Sequence, residues 1–140
     1  MAKAELFRSA LRAILKHGGA FEVRRGEGDT TAIETAVQLA REGEVVAIFP
    51  EGTRRKKGMV KKRQARPHTG AVRVALEAGV PLIPAAIAGT DKITKLGPLR
   101  VAYGPPVQLD DLREGRDMRE AAQVGTERLM AAITELEKTL

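Results

Sequence analysis

The chain contains no cysteine, no tryptophan, one tyrosine and three phenylalanines. Without cysteine there is no disulfide framework, no thiolate nucleophile and no Cys-ligated zinc site, and the two histidines alone cannot complete an all-protein zinc cage. The redox compartment therefore leaves no mark on the residues. No apolar run approaches the ~20 residues needed to cross a bilayer. The opening, MAKAELFRSALRAILKHGG, spreads charges through its length, unlike a secretory signal. These absences point to a chain that is cytosolic or peripheral to a membrane. Aromatic poverty excludes something too. Phe7, Phe21, Phe49 and Tyr103 sit in apolar segments rather than among the cations, so no stacking platform for nucleic acid is present, and no nucleic-acid partner is expected.

What is present fits one domain over residues 1–140. Hydrophobic residues make up 43% and charged residues 30%, which is a globular composition, and the length suits a single core. The formal charge of +6 is unevenly placed. Residues 54–66, RRKKGMVKKRQAR, hold eight Lys and Arg and no acid, leaving −2 for the remainder. Like charges at this density repel and cannot bury a face, so the segment reads as an exposed loop. Its partner would be an anionic surface, or it is simply solvated.

Hydrophobic periodicity predicts a helix over 4–17 (Leu6, Phe7, Ala10, Leu11, Ile14, Leu15) and a short strand over 20–23. Thr31 and Glu34 have capping-box spacing for a second helix that Gly43 closes. The continuous apolar run over 44–49, EVVAIF, predicts a strand covered on both faces. A third helix spans 69–78 with Gly79 after it. A buried strand follows over 82–88, where Pro84 implies an edge or a bulge. A strand over 99–103 ends at Gly104-Pro105-Pro106, and Asp117 with Glu120 opens a last helix striped by Met118, Ala121, Leu129, Ile133, Leu136 and Leu140. The order α-β-α-β-α-β-β-α predicts an α/β fold, a layered mixed β-sheet flanked by helices.

The tightest chemical constellation is Phe49-Pro50-Glu51-Gly52-Thr53-Arg54, at the C-terminal end of a predicted buried strand. In open α/β sheets that edge is where ligands bind. Pro50 stiffens the exit, Gly52 permits a turn with exposed N–H groups, Thr53 adds a hydroxyl, and Arg54 offers a bidentate fork for a phosphate monoester. On composition alone the block reads equally well as a turn in which Glu51 and Arg54 pair with each other.

FPEGTR, preceded by GAFEVRRGEGD at 19–29 and followed by VPLIPAAIAGT at 80–90, closely resembles the glycerolipid acyltransferase family of the 1-acyl-glycerol-3-phosphate acyltransferase type. The resemblance covers roughly residues 1–107. It implies the glycerol-3-phosphate acyltransferase fold, and transfer of a fatty acyl group from acyl-CoA or acyl-carrier protein to lysophosphatidic acid at the cytoplasmic face of a membrane, with the basic segment against anionic lipid. It assigns acceptor binding to Glu51, Gly52, Thr53 and Arg54, and to Arg25 of the preceding block, with Arg24 behind it. Pro81 and Pro84 fall in a further block read as a strand shaping the pocket. No metal or cofactor is implied, because a base and an oxyanion stabiliser suffice for acyl transfer.

The family's catalytic pair is HxxxxD, a His that takes the proton of the acceptor hydroxyl and an Asp that orients it. The sequence holds no HxxxxD, so no catalytic residue is assigned. His17 and Glu22 have HxxxxE spacing, but Glu22 falls inside the strand of the second block, and the spacing is read as coincidence. His68 has Arg73 five positions on and fails the pattern. MAKAELF resembles the stretch that follows HxxxxD, so the chain is expected to lack the family's N-terminal catalytic region. The competing expectation is a non-catalytic module that keeps the phosphate and anionic-lipid sites.

Overall fold

The computed structural model describes residues 2–3, 22–23, 30–51, 67–90, 97–113, 115 and 117–140. The described elements are β1 (Ala2–Lys3), β2 (Glu22–Val23), α1 (Thr30–Arg41), α2 (Gly70–Ala78), β3 (Ala85–Ala88), β4 (Arg100–Tyr103), a 3-10 turn (Asp110–Leu112) and α3 (Met118–Glu137). The described order, β-β-α-α-β-β-α, mixes helices and strands as an α/β chain does, without the strict alternation expected. The expected single layered sheet is not what the described residues form. Their strands make two separate pairs, β1 with β2 in parallel and β3 with β4 antiparallel. The helix expected over 4–17 lies outside the described residues, and β2 covers the second half of the strand expected over 20–23.

Each helix ends where its local chemistry stops it. After α1, the N–H of Gly43 bonds to the Ala40 carbonyl at 3.2 Å and that of Glu44 to Leu39 at 3.0 Å, with Gly43 at φ 88°. After α2, the N–H groups of Gly79 and Val80 converge on the Ala75 carbonyl at 3.0 and 3.2 Å, with Gly79 at φ 74°. Both closures need a left-handed residue, which glycine adopts without a Cβ penalty. At the start of α3 the Asp117 carboxylate accepts from the Arg119 N–H at 3.2 Å. The start of α1 corrects the expected capping box. The helix already includes Thr30, so Thr31 lies within its first turn, where its carbonyl accepts the Thr35 hydroxyl at 2.8 Å.

Two buried clusters hold these elements together. Ala36, Val37, Ala40 and Val74 join α1 to α2. Val72, Ala75, Leu109, Leu112, Ala121, Ala122 and Leu129 join α2, the 3-10 turn and α3. Gly125 lets α3 approach closely, since a Cβ there would lie 2.6 Å from Val72 Cγ1. The buried Thr126 hydroxyl is satisfied by the Ala122 carbonyl at 2.6 Å. Outside the clusters, Arg41 donates to the Glu77 carbonyl at 2.7 Å, and Arg128 clasps both oxygens of Asp111 at 2.6 and 2.7 Å.

The β segments show one face to these helices and another to solvent. Pro84 and Ala86 are buried, and Ala102 and Gly104 half-buried, where β3 and β4 pack on α3. Hydrogen bonding runs past β3, from the Gly104 N–H to the Pro84 carbonyl at 3.0 Å and from Val107 to Leu82 at 2.9 Å. Pro105 and Pro106 between them have no N–H to offer, which ends the regular ladder. The edge implied by Pro84 is what forms, because the proline precedes β3 and contributes only its carbonyl. The strand expected over 82–88 forms over Ala85–Ala88 and is buried on one face. Residues 44–49 depart further from expectation. Among the described residues they pair with no strand, and while Val46 and Ile48 pack on the core, Val45 is 97% and Phe49 70% exposed. The apolar run required an inner partner and received one, but nothing in it required an outer one.

Candidate functional site

The FPEGTR block leaves the core at Pro50, which is buried, and Glu51, which is half-buried. The Pro50 carbonyl accepts the His68 N–H at 2.8 Å. That bond brings Pro50 and His68 together directly before α2.

The helix end at this point is itself positive. The first intrahelical bond of α2 runs from the Arg73 N–H to the Thr69 carbonyl at 3.0 Å, so the N–H groups ahead of it have no acceptor within the helix. Thr69 makes no side-chain cap over them. Such an end favours an anion, typically by about 0.3–1 kcal/mol at an exposed surface.

Of the acceptor residues expected from the sequence, Glu51 is placed at this exit turn. Gly52, Thr53 and Arg54 lie outside the described residues, as do Arg24 and Arg25, which follow β2 by one and two positions. Glu22 belongs to β2, within the strand expected over 20–23; His17 lies outside the described residues. His68 is exposed, and its backbone, not its ring, closes the loop. The VPLIP block does not meet the turn through Pro81. Val80, Pro81 and Leu82 line a half-open cleft of about 240 Å³ with Val107 and Arg113, beyond Gly79 and so past the opposite end of α2. Nine helical residues separate the two ends by about 13 Å.

Two features escaped the sequence reading. The Pro50–His68 closure has no local signal, since it joins residues eighteen apart through backbone atoms. The Arg128–Asp111 pair joins residues seventeen apart, and its bidentate hydrogen bonds hold the guanidinium above its ordinary pKa, with burial opposing slightly.

The mix of helices and strands places the chain in the α/β class, and the comparisons with known proteins narrow it. The Acyltransferase family model matches residues 1–88. A 1-acyl-sn-glycerol-3-phosphate acyltransferase of Bacillus subtilis (strain 168) is 35% identical over 144 residues, covering 100% of this chain and 69% of that protein. The chloroplastic 1-acyl-sn-glycerol-3-phosphate acyltransferase BAT2 of Brassica napus is 37% identical over 65 residues, 46% of this chain and 18% of its own length. No solved structure matches. The chain belongs to the acyltransferase family, of the 1-acyl-sn-glycerol-3-phosphate acyltransferase type.

Proposed function

We propose that residues 1–140 form one acyltransferase-like domain carrying the acceptor side of an O-acyl transfer, in which a fatty acyl group passes from acyl-CoA or acyl-carrier protein to lysophosphatidic acid in phospholipid synthesis. The observation that carries this reading is the exit of the FPEGTR block beside the uncapped N-terminus of α2. On this reading the domain takes the layered fold of the glycerol-3-phosphate acyltransferases. It works peripherally, on the cytoplasmic face of a membrane, and no described helix is long and apolar enough to cross one. Arg54 and Arg25 hold the acceptor phosphate, each with two charge-assisted hydrogen bonds from a planar fork. Gly52 and Thr53 add backbone and hydroxyl donors. Glu51 cannot face the phosphate, since like charges repel, and serves a glycerol hydroxyl or orients the turn.

Binding of a short-chain lysophosphatidic acid to the purified chain tests this by calorimetry. A hydrogen bond to a charged group is worth ~1.5–3 kcal/mol, so Arg54→Ala should weaken binding by roughly ten- to a hundredfold, and Glu51→Gln by less. Arg54→Lys should recover only part of the loss. Equal affinity in wild type and Arg54→Ala would move the block out of the acceptor site.

The missing HxxxxD favours a second reading, a module that binds phosphate and anionic lipid without catalysis. Loss of a general base typically costs 10²–10⁴-fold, and the 140-residue chain alone is expected to form no lipid product from lysophosphatidic acid and acyl-CoA. Product formation abolished by His17→Ala would instead give His17 and Glu22 the catalytic role.

A further inference from the structure

The half-open cleft past the end of α2 has no part in the acceptor reading. One wall is the connection from α2 to β3, through Val80, Pro81 and Leu82, and the other is the segment after β4, through Pro106 and Val107. The Val107 N–H bonds to the Leu82 carbonyl at 2.9 Å and joins the two walls. Pro81 and Pro106 offer no N–H, so the surface they present is apolar. At about 240 Å³ the cleft exceeds the ~150 Å³ that accommodates benzene in an apolar cavity.

Arg113 stands at this cleft with its fork open. Its side chain is 33% exposed and lies over the glycine that ends α2, where a Cβ on Gly79 would stand 3.7 Å from Arg113 Nη1. The Arg113 Nε donates to the Asp110 carboxylate at 3.3 Å, a long single bond to a side chain that is itself 86% exposed. Among the described residues the two terminal nitrogens of Arg113 have no acceptor, and the side-chain amide of Gln108, also on the lining, has no partner. The negative end of α2 has its cation without Arg113, because Arg41 donates to the Glu77 carbonyl there at 2.7 Å. A guanidinium edge left open beside an apolar wall matches a carboxylate whose apolar body lies along that wall. Charge selects among oxyanions. Asp110 already shares the arginine, so a carboxylate with one negative charge meets less repulsion than a phosphate monoester, which carries about −1.5 to −2.

We propose that this cleft is a second ligand site, for a monocarboxylate with a short apolar tail, held by the Arg113 fork and the Gln108 amide. It lies past the opposite end of α2 from Pro50 and stands independently of the acceptor reading. Hexanoate is the probe. Titrated into the isotope-labelled chain and followed by proton–nitrogen correlation NMR, it should move the amide signals of Val80, Leu82 and Gln108 and leave those of Glu51 and His68 in place. Affinity should rise about fourfold for each methylene, from acetate to hexanoate, that reaches the wall. Hexanol keeps the tail without the charge and should bind roughly tenfold more weakly than hexanoate, and Arg113→Gln should weaken hexanoate by roughly ten- to a hundredfold. Hexyl phosphate should bind more weakly than hexanoate to the wild-type chain. Asp110→Asn keeps an acceptor for the Arg113 Nε but removes the competing charge, so it should tighten hexanoate and narrow the gap to hexyl phosphate, which a purely structural role for Asp110 would not do. Circular dichroism verifies that each variant folds. Absence of any shift with hexanoate would overturn the proposal, as would equal binding by Arg113→Gln or by hexanol. Shifts centred on Glu51 and His68 would also overturn it, since the carboxylate would then sit at the acceptor turn.

Discussion

The two faces of β3 and β4 are built from neighbouring residues and have opposite loads. Toward α3 the side chains are small: Pro84, Ala86, Ala102 and Gly104, where a Cβ on Gly104 would stand 3.0 Å from Pro84 Cγ and 3.4 Å from Leu136 Cδ1. Toward solvent they are large and apolar. A half-buried sheet in water usually shows the reverse, apolar inside and polar outside. Small residues on the inner face let a helix lie close, and close packing gains dispersion contacts that a looser fit would lose. Large residues on the outer face stay half or more in water and gain fewer such contacts.

Substitutions can break or sharpen that contrast. The largest effect is expected from Leu129→Ala, which empties a fully enclosed site among Val72, Leu109 and Leu112 and should cost about 2–5 kcal/mol, read from urea unfolding. Next come two adjacent residues of β3. Ala86→Leu forces extra volume under α3 and should cost about 1–3 kcal/mol, whereas Ile87→Ser, one position on, should stay within about 0.5 kcal/mol. Equal losses from the two would mean that both faces carry the fold. Asp117→Ala removes the cap of α3 and should cost about 1 kcal/mol, recovered by Asp117→Ser, which can cap in the same way. The smallest effect belongs to the exposed Arg128–Asp111 clasp. Asp111→Asn should lower Tm slightly and less at high salt, because solvent and ions screen the pair. The raised pKa of Arg128 means that its part in the clasp is fully present below the ordinary guanidinium pKa and lost only as pH rises through the raised one. That loss falls far above neutrality, so across the neutral range the Arg128 contribution should be flat.

The same contrast explains what could be read in advance. The closures at Gly43 and Gly79 and the cap at Asp117 were legible because each is made by residues within a turn of one another. The limits of β4 and its end at Gly104-Pro105-Pro106 were legible for the same reason. Thr31 was read as the N-cap two residues too late because Thr30 and Thr31 can both stand at a helix start, and spacing alone does not choose between them. The strand over 44–49 was expected to be covered twice because an unbroken apolar run looks identical whether one face or both have partners. The candidate site divides along the same line. The FPEGTR block announced itself in six consecutive residues, while the backbone bond that seats it, from Pro50 to His68, depends on atoms that every residue has.

The amino-acid sequence by itself determined the mix of helices and strands, the glycine closures after the first two helices, the concentration of positive charge in 54–66 and the kinship with the acyltransferases, because propensity, capping, charge and motif are properties of neighbours along a chain. Only the tertiary structure decided that Pro50 meets His68 directly before α2, that Arg128 reaches Asp111, and that β3 and β4 turn their largest side chains outward. Those depend on which distant groups meet. A polypeptide states its local preferences residue by residue, but burial is a relation between surfaces, and it exists only once the chain has folded.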